Sequence, residues 1–449
     1  MTMEKKVFFI SLGCDKNLVD SEVMLGMLEE KGYTFTADES EADVVVINTC
    51  CFIGDAKEES VNTILEMAEL KKSGSIEALI VTGCLAQRYQ EQIRREIEEV
   101  DAVVGTTAIA ELPVVLEEIF AGRPKDHYQE LDQKPLTDRK RIVTTGGHFA
   151  YLKIAEGCDK HCTYCIIPKV RGPYRSVPMD SLLREAETLA AQGVKELILV
   201  AQETTVYGMD LYGHKALPEL LRRLCRIEGL LWIRVMYCYP EEIDDALIQA
   251  MKEEKKICHY LDIPIQHASD AILKRMGRRT NQKELTDIIE KLRREIPDIC
   301  LRTTLITGFP GETGKDHEEL VEFVDKMAFD RLGVFPYSQE EDTPAAEMPE
   351  QVDEELKQER LDELMALQQE IAFAAAADME GRVVNAMVEG KVADEDVYVT
   401  RTYKDAPDVD GFLFVHADRE LMTGDFVRVR ITGSNEYDLM GELEDEFAE

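Results

Sequence analysis

Short apolar runs alternate with helix-patterned segments along most of this chain, in two separate series. That alternation constrains the fold more than any other feature. Strands separated by helices pair in parallel, with the helices packed on the sheet faces. The first series places strands at Val7–Leu12, Val44–Asn48, Ala78–Thr82 and Ala102–Val104. Its helices are expected at Val19–Lys31, Ala56–Lys72, Gln90–Glu99 and Leu112–Phe120. The polar stretch Gly122–Thr144, with Pro124 and Pro135, reads as a linker. The second series has strands at Ala150–Ala155, Glu196–Ala201, Trp232–Tyr237, Tyr260–Ile265, Leu301–Thr307 and Gly333–Tyr337. Helices fit between them, and Val352–Ala377 reads as one long charged helix. Six such units make an incomplete barrel, open on one side. After Gly381 five short strand-like runs follow: Val383–Val388, Val397–Thr400, Gly411–Val415, Phe426–Ile431 and Asp438–Leu443. They suggest a small β-barrel of oligonucleotide-binding type. The expected class is α/β, with a parallel-sheet domain at 1–125, a linker at 126–145, an open six-unit barrel at 146–378 and a five-stranded β-barrel at 379–449.

Composition narrows the function classes. The chain has 449 residues and a formal net charge of −37. A strongly acidic chain lacks the basic face that broad nucleic-acid binding needs. No stretch approaches the ~20 apolar residues of a membrane span. The Val7–Leu12 run ahead of Gly13-Cys14 has the look of a lipoprotein leader. It is shorter than the roughly 7–15 residues such a leader uses, so a buried first strand is the better reading. A cytoplasmic location without a membrane anchor is expected. There the 11 cysteines stay reduced, and metal or catalytic roles become the question.

Cys158, Cys162 and Cys165 are spaced Cys-x3-Cys-x2-Cys, just past the first barrel strand. Three thiolates suit an iron–sulfur cubane, which normally takes four. The fourth iron then has no protein ligand, and a small chelating substrate can bind it. Zinc would want a fourth Cys or His; His161 is adjacent but would point away from a shared cluster face. The loop resembles the signature of the radical S-adenosylmethionine (SAM) superfamily. The resemblance implies a 4Fe–4S cluster whose open iron chelates SAM and whose electron cleaves it to a 5′-deoxyadenosyl radical. Tyr164 stands where the superfamily often packs an aromatic near the adenine, although a core tyrosine is equally compatible with the sequence.

Cys14, Cys50 and Cys84 each lie just beyond the carboxyl end of a strand in the first series. In an open parallel sheet those ends share one side, so the three can meet. Lone cysteines are otherwise commonly small buried hydrophobes. Ser11-Leu12-Gly13-Cys14 with Asn17, Asn48-Thr49-Cys50 and Thr82-Gly83-Cys84 resemble the N-terminal domain of the methylthiotransferase branch of that superfamily. The similarity spans the chain and identifies the C-terminal barrel as a TRAM domain. It implies that Cys14, Cys50 and Cys84 bind an auxiliary 4Fe–4S cluster and that Cys158, Cys162 and Cys165 bind the radical cluster. Cys51 would point the other way in extended chain, and Cys225, Cys238, Cys258 and Cys300 read as structural.

Gln202 and Glu203, at the end of the second barrel strand, are candidate contacts for the amino group of SAM, or satisfied strand-end groups. No catalytic residue beyond the cluster ligands is assigned. His267 is divided between a pocket role and a structural one. Thr307–Thr313 lacks the Lys-Ser or Lys-Thr that a phosphate-binding loop would require. Arg171 and Arg175 read as carboxylate partners or, more commonly, as solvated surface. Two branches of the family then compete. Gln266-His267-Ala268-Ser269-Asp270, Asp210-Leu211-Tyr212-Gly213 and Tyr337–Pro344 look like the branch that methylthiolates the β-carbon of an aspartate in ribosomal protein S-twelve of the small subunit. The alternatives are the branch that modifies adenosine in transfer RNA and a non-enzymatic iron–sulfur electron carrier. Residues 379–449 hold 18 acidic and 7 basic side chains, a net −11. That sign suits a basic protein substrate and argues against nucleic acid as the direct one, unless it is only a soluble surface. An external electron donor is also implied.

Overall fold

The computed structural model of the chain describes residues 5–444. In it Val44–Thr49 is buried at every position, and so is Ala78–Gly83. Continuous apolar strands of this kind occur where helices cover both sheet faces. The N-terminal sheet contains β1 (Lys6–Ser11), β2 (Thr34–Thr36), β3 (Val44–Thr49), β4 (Ala78–Gly83) and β5 (Ala102–Val104), in the order β2-β1-β3-β4-β5. All four pairings are parallel. Helices α1 (Asp15–Glu30), α2 (Gly54–Ser73), α3 (Cys84–Tyr89), α4 (Glu91–Glu96) and α5 (Leu112–Phe120) connect them. Two details depart from the sequence reading. The short edge strand β2 was not expected, because three residues give too little pattern. The helix expected over Gln90–Glu99 is the short α4, and a second short helix, α3, precedes it, the two separated where Gln90 takes φ +43°. Helix α3 begins at Cys84 itself.

The expected linker carries no helix, yet it is pinned. His127 pairs by its backbone with Val103 and Gly105, and buried Arg141 binds Glu22 at 2.6 Å and Glu185 at 2.8 Å. The central sheet follows, with β6 (Phe149–Lys153), the small hairpin β7 (Ala155–Glu156) and β8 (Arg175–Ser176), then β9 (Glu196–Val200), β10 (Trp232–Val235), β11 (Ile257–Asp262), β12 (Cys300–Thr307) and β13 (Arg331–Pro336). Six parallel strands run β13-β12-β11-β10-β9-β6, open between β13 and β6. The helices are α6 (Ile167–Val170), α7 (Met179–Ala191), α8 (Met209–Tyr212), α9 (Leu217–Leu224), α10 (Asp245–Glu253), α11 (Asp270–Arg275), α12 (Gln282–Glu295) and α13 (Gly314–Met327). The long α14 (Glu354–Ala377) packs on β13 and α13. Capping boxes start α12 at Asn281 and α13 at Thr313.

The last five strands, β14 (Val383–Lys391), β15 (Val397–Thr402), β16 (Leu413–His416), β17 (Phe426–Asn435) and β18 (Asp438–Leu443), close into a barrel in the order β14-β15-β16-β18-β17. This barrel stops the amino-terminal end of the central one. Met387, Ala406 and Phe426 enter the same apolar cluster as Phe149, Trp232, Cys258 and Tyr260. Around them runs a buried ion-pair network. Glu196 accepts from Arg234 and Arg401, each at 2.8 Å, and Arg331 and Arg302 face Asp405 and Asp410. Among the described residues no helix is long and apolar enough to cross a membrane.

Candidate iron–sulfur sites

Adjacent strands β1, β3 and β4 deliver Cys14, Cys50 and Cys84 to one edge of the N-terminal sheet. Two glycines let them approach. Gly13 has φ +89°, and a Cβ there would lie 2.6 Å from the Cβ of Cys50 and 2.8 Å from its sulfur. Gly83, at φ +93° and ψ −159°, packs directly on Asn48 and Thr49. Asn17 ties the three segments together. Its Nδ2 donates to the carbonyls of Leu12 at 3.0 Å and Thr49 at 2.9 Å, and its Oδ1 lies 3.8 Å from Cys84 Sγ. Cys50 and Cys84 are buried and Cys14 is exposed, so the set opens toward solvent at one corner. Cys51 is fully buried in the core beside Ile64 and Leu79, as the alternation of an extended chain requires.

The second set sits in the loop after β7. Cys158 N donates to Gly172 O at 3.1 Å, and Cys165 N to Cys162 O at 3.0 Å. Thr163 fastens the loop to the barrel through Met276 O and Arg275 O. Tyr239 stands 3.3 Å from Cys162 Sγ, and Arg278 stacks over the Tyr239 ring. Burial pushes the thiols of Cys50 and Cys158 up to about 12 and raises those of Cys84 and Cys165 as well. Such thiols ionise when a metal supplies the compensating charge. Among the described residues no three His, Cys, Asp or Glu side chains close to the spacing of a single metal ion. Three thiols with no fourth ligand beside them are a donor set that an iron–sulfur cubane with one open iron can use, whereas structural zinc takes four protein ligands.

Between the two sets lies a buried polar bridge that the sequence did not disclose. Arg171 is 2% exposed, not solvated. Its Nε donates to Cys84 Sγ at 3.3 Å, its Nη1 to Asp20 at 2.6 Å and Glu156 at 3.3 Å, and its Nη2 to Asn17. Lys153 joins Asp20 and Glu156 from the other side. Arg175 is also buried and donates to the carbonyls of Pro173 and Arg171. Asp20 and Asn17, two of its partners, are distant in sequence, which is why local pattern suggested surface.

Tyr164, Gln202 and Glu203 all stand at the carboxyl end of the central barrel. Tyr164 packs edge-on to Phe309, with centroids 6.5 Å apart. The amide nitrogen of Gln202 donates to Glu156 at 3.0 Å, leaving its buried oxygen without a partner. Glu203 is 1% exposed, and one of its oxygens accepts from the backbone and hydroxyl of Thr205. The other has no hydrogen-bond partner, with Lys160 at 3.9 Å. Burial raises its carboxyl pKa to about 7. An orphaned carboxylate oxygen is a receptor for an ammonium group. His267 is fully buried; its Nδ1 accepts from Ser269 N at 2.9 Å, and its Nε2 has no hydrogen-bond partner among the described residues. The Tyr337–Pro344 motif does structural work. Glu340 binds Lys57 at 2.8 Å and Arg88 at 3.0 Å, and Ser338 accepts from Gly54 N, so this segment latches the N-terminal domain over the barrel mouth. Asp210 likewise holds Ser176.

Known proteins match along the whole chain. Residues 6–105 match the uncharacterized protein family UPF0004, residues 152–324 the radical SAM superfamily, and residues 381–443 the TRAM domain. The ribosomal protein uS12 methylthiotransferase RimO of Lachnoclostridium phytofermentans is 63% identical, covering 98% of this chain and 100% of its own. Those of Acetivibrio thermocellus and Clostridioides difficile are 50% and 48% identical, each over 98% of this chain and 99% and 98% of their own. Among solved structures, the radical SAM methyltransferase TsrM of Kitasatospora setae, with cobalamin and a [4Fe–4S] cluster bound, aligns at a TM-score of 0.54 and 14% identity, over 76% of this chain and 74% of that one. That likeness speaks to the fold alone.

Proposed function

This chain belongs to the RimO family of ribosomal protein uS12 methylthiotransferases, and from that premise we propose that it adds a methylthio group to the β-carbon of an aspartate in uS12. It is a radical SAM methylthiotransferase, using an iron–sulfur cluster and SAM. The observation that carries the finer reading is the pair of three-cysteine sets, tied together through Arg171, which follows one set in sequence and donates to Cys84 of the other. Cys158, Cys162 and Cys165 would hold the radical 4Fe–4S cluster, and Cys14, Cys50 and Cys84 a second, auxiliary one. When bound, these groups supply the electron that cleaves SAM and the sulfur that is transferred. No side chain here could remove a proton from an unactivated C–H at neutral pH, so radical chemistry is needed.

The chain's own residues bind and orient. Glu203 would receive the ammonium of SAM on its orphaned oxygen, beside the free amide oxygen of Gln202, with Tyr164 flanking the cofactor. The Glu340 latch would keep the two cysteine sets facing one another. The working division is residues 1–125 for the auxiliary site, 126–145 as a pinned linker, 146–378 for radical chemistry and 379–449 for the protein substrate. An external donor would supply the electron, and a cytoplasmic setting suits reduced thiols.

The test is anaerobic. Reconstituted protein receives SAM, sulfide and a reductant, with uS12 or its aspartate-loop peptide in one tube and unmodified transfer RNA in another. Mass spectrometry should find a methylthio group in place of hydrogen on the aspartate. Modification of the RNA alone would refute the proposal.

A further inference from the structure

We propose that Arg171 is a positioning residue that sets the reduction potential of the cluster held by Cys14, Cys50 and Cys84. The inference rests on that ligand assignment and deepens it. Arg171 follows the Cys158–Cys165 loop, at the end of α6, yet its guanidinium crosses into the N-terminal domain. Each edge has its own task. Nη1 is held by Asp20 and Glu156, Nη2 by Asn17, and Nε is left to point at Cys84 Sγ from 3.3 Å. Asn17 also buttresses the backbone at Leu12 and Thr49, next to the other two cysteines.

The surrounding charges are matched. Arg171 and Lys153 oppose Asp20 and Glu156, all four buried or nearly so. The guanidinium therefore needs no thiolate to pay for its burial, and its contact with Cys84 is a surplus, directed N–H···S bond. Hydrogen bonds to cluster sulfurs and nearby charge are among the levers that set iron–sulfur potentials. A donor on the sulfur stabilises the extra electron of the reduced state, so Arg171 raises the potential. Asp20 acts in the opposite sense, because its carboxylate offsets the positive charge that faces Cys84. The same side chain also fixes the auxiliary site to the loop that carries the other cysteine set.

The test uses the full chain with Cys158→Ala, Cys162→Ala and Cys165→Ala, so that only the auxiliary set can hold a cluster. In that background Arg171→Gln, Arg171→Lys and Asp20→Asn are reconstituted anaerobically, and the midpoint potential is measured by redox titration with electron paramagnetic resonance. Arg171→Gln should shift the midpoint to more negative values. Arg171→Lys, which keeps the charge but loses the planar fork, should fall between it and the parent. Asp20→Asn should shift it the other way. Should Arg171→Gln lose its iron, the opposite signs of Arg171→Lys and Asp20→Asn still decide. Equal midpoints in parent and Arg171 variants, or shifts of one sign for Arg171 and Asp20 variants alike, would overturn the inference. A parent that binds no cluster would overturn the ligand assignment beneath it.

Discussion

Replacing Gly83 by alanine should strike the auxiliary site more selectively than removing a cysteine. Gly83 occupies φ +93° and ψ −159°, a region essentially reserved for glycine, and forcing a side chain into it costs about 1–3 kcal/mol. A Cβ there would sit 2.7 Å from Thr49 N and closer still to Asn48 Oδ1 and Thr49 O. Those atoms cannot step aside. Asn48 is hydrogen-bonded to Asn17 and Ser21, and Thr49, the last residue of the central strand β3, is fully buried and pairs directly with Gly83. Overpacking of this kind adds about 1–3 kcal/mol. The total is about 2–6 kcal/mol against the β3–β4 pairing. Gly74→Ala is the matched control, since Gly74 has φ +78° but nothing within 4 Å of its added Cβ. It should show strain alone, about 1–2 kcal/mol. The single tryptophan, Trp232, lies in the central barrel and is blind to this region. Hydrogen exchange of the β3 and β4 amides is the suitable assay. Protection in Gly83→Ala should fall by a factor between about 30 and 2 × 10⁴, with iron lost from the auxiliary set and retained by the barrel loop. Exchange as slow as in the parent, or equal to that of Gly74→Ala, would refute the crowding argument.

Replacing Cys158, Cys162 or Cys165 by alanine should abolish SAM cleavage, whereas replacing Cys14, Cys50 or Cys84 should spare cleavage and stop sulfur insertion; chromatography of 5′-deoxyadenosine beside product mass spectrometry separates the two. Glu196→Ala strands Arg234 and Arg401 in the seam between the barrels and should cost about 3–5 kcal/mol. Trp232 packs edge-on against Phe426 across that seam, so its fluorescence during urea unfolding reports the loss, and a change below about 0.5 kcal/mol would count against it. Burial alone would raise the Glu196 carboxyl, but Arg401 and Arg234 outweigh it and hold it low. Its stabilisation is therefore present above the ordinary carboxylate range and lost as pH falls through the lowered value. His127 behaves oppositely. Burial would lower it, but hydrogen bonds with Glu111 and Glu118 outweigh that and raise it. Its contribution is complete below the ordinary value near 6.5 and fades as pH climbs through the raised one, so His127→Gln should lower the melting temperature more at pH 5.5 than at pH 8.5.

The architecture was legible because parallel strands buried on both faces write themselves as apolar runs, and Val44–Thr49 or Ala78–Gly83 can be little else. Cys14, Cys50 and Cys84 were legible as candidates because strand ends share an edge, whatever their separation in sequence, and Cys158, Cys162 and Cys165 because their spacing sets three thiols in one loop. What could not be read is instructive. Arg171 looked like surface because its partners Asp20 and Asn17 lie about 150 positions earlier, across a domain boundary. A further helix, beginning at Cys84, precedes the one expected at Gln90, since the Gly83 conformation turns the chain at once from strand to helix. Tyr337–Pro344 was read as a mark of substrate choice, yet Ser338 and Glu340 are spent on Gly54, Lys57 and Arg88. A motif can track a branch of a family by holding its domains in register, without touching what they act on.

The same distinction applies to the charge of the C-terminal barrel. A net of −11 over residues 379–449 treats every carboxylate as facing outward. Three do not. Asp405 and Asp410 lie against Arg331 and Arg302, and Glu389 binds His148 and Arg401. These acids hold the small barrel on the floor of the large one, and no substrate meets them. The outward field comes from elsewhere, above all from Asp394, Glu395 and Asp396 on one turn and Asp418 and Glu420 on the next, all exposed. The two turns are neighbours, joined by the hydrogen bond from Ala417 N to Asp396 O. Within them Lys391 is the partner of Asp396, and Arg419 is the one cation of the second turn. The charge argument for a basic protein substrate therefore survives with fewer residues than the count suggested, and it becomes local. Attraction of a basic chain would fall on one rim of the barrel and would weaken with salt over about 8–10 Å. The buried acids would leave no mark on that salt dependence, although they are what keeps the rim in place.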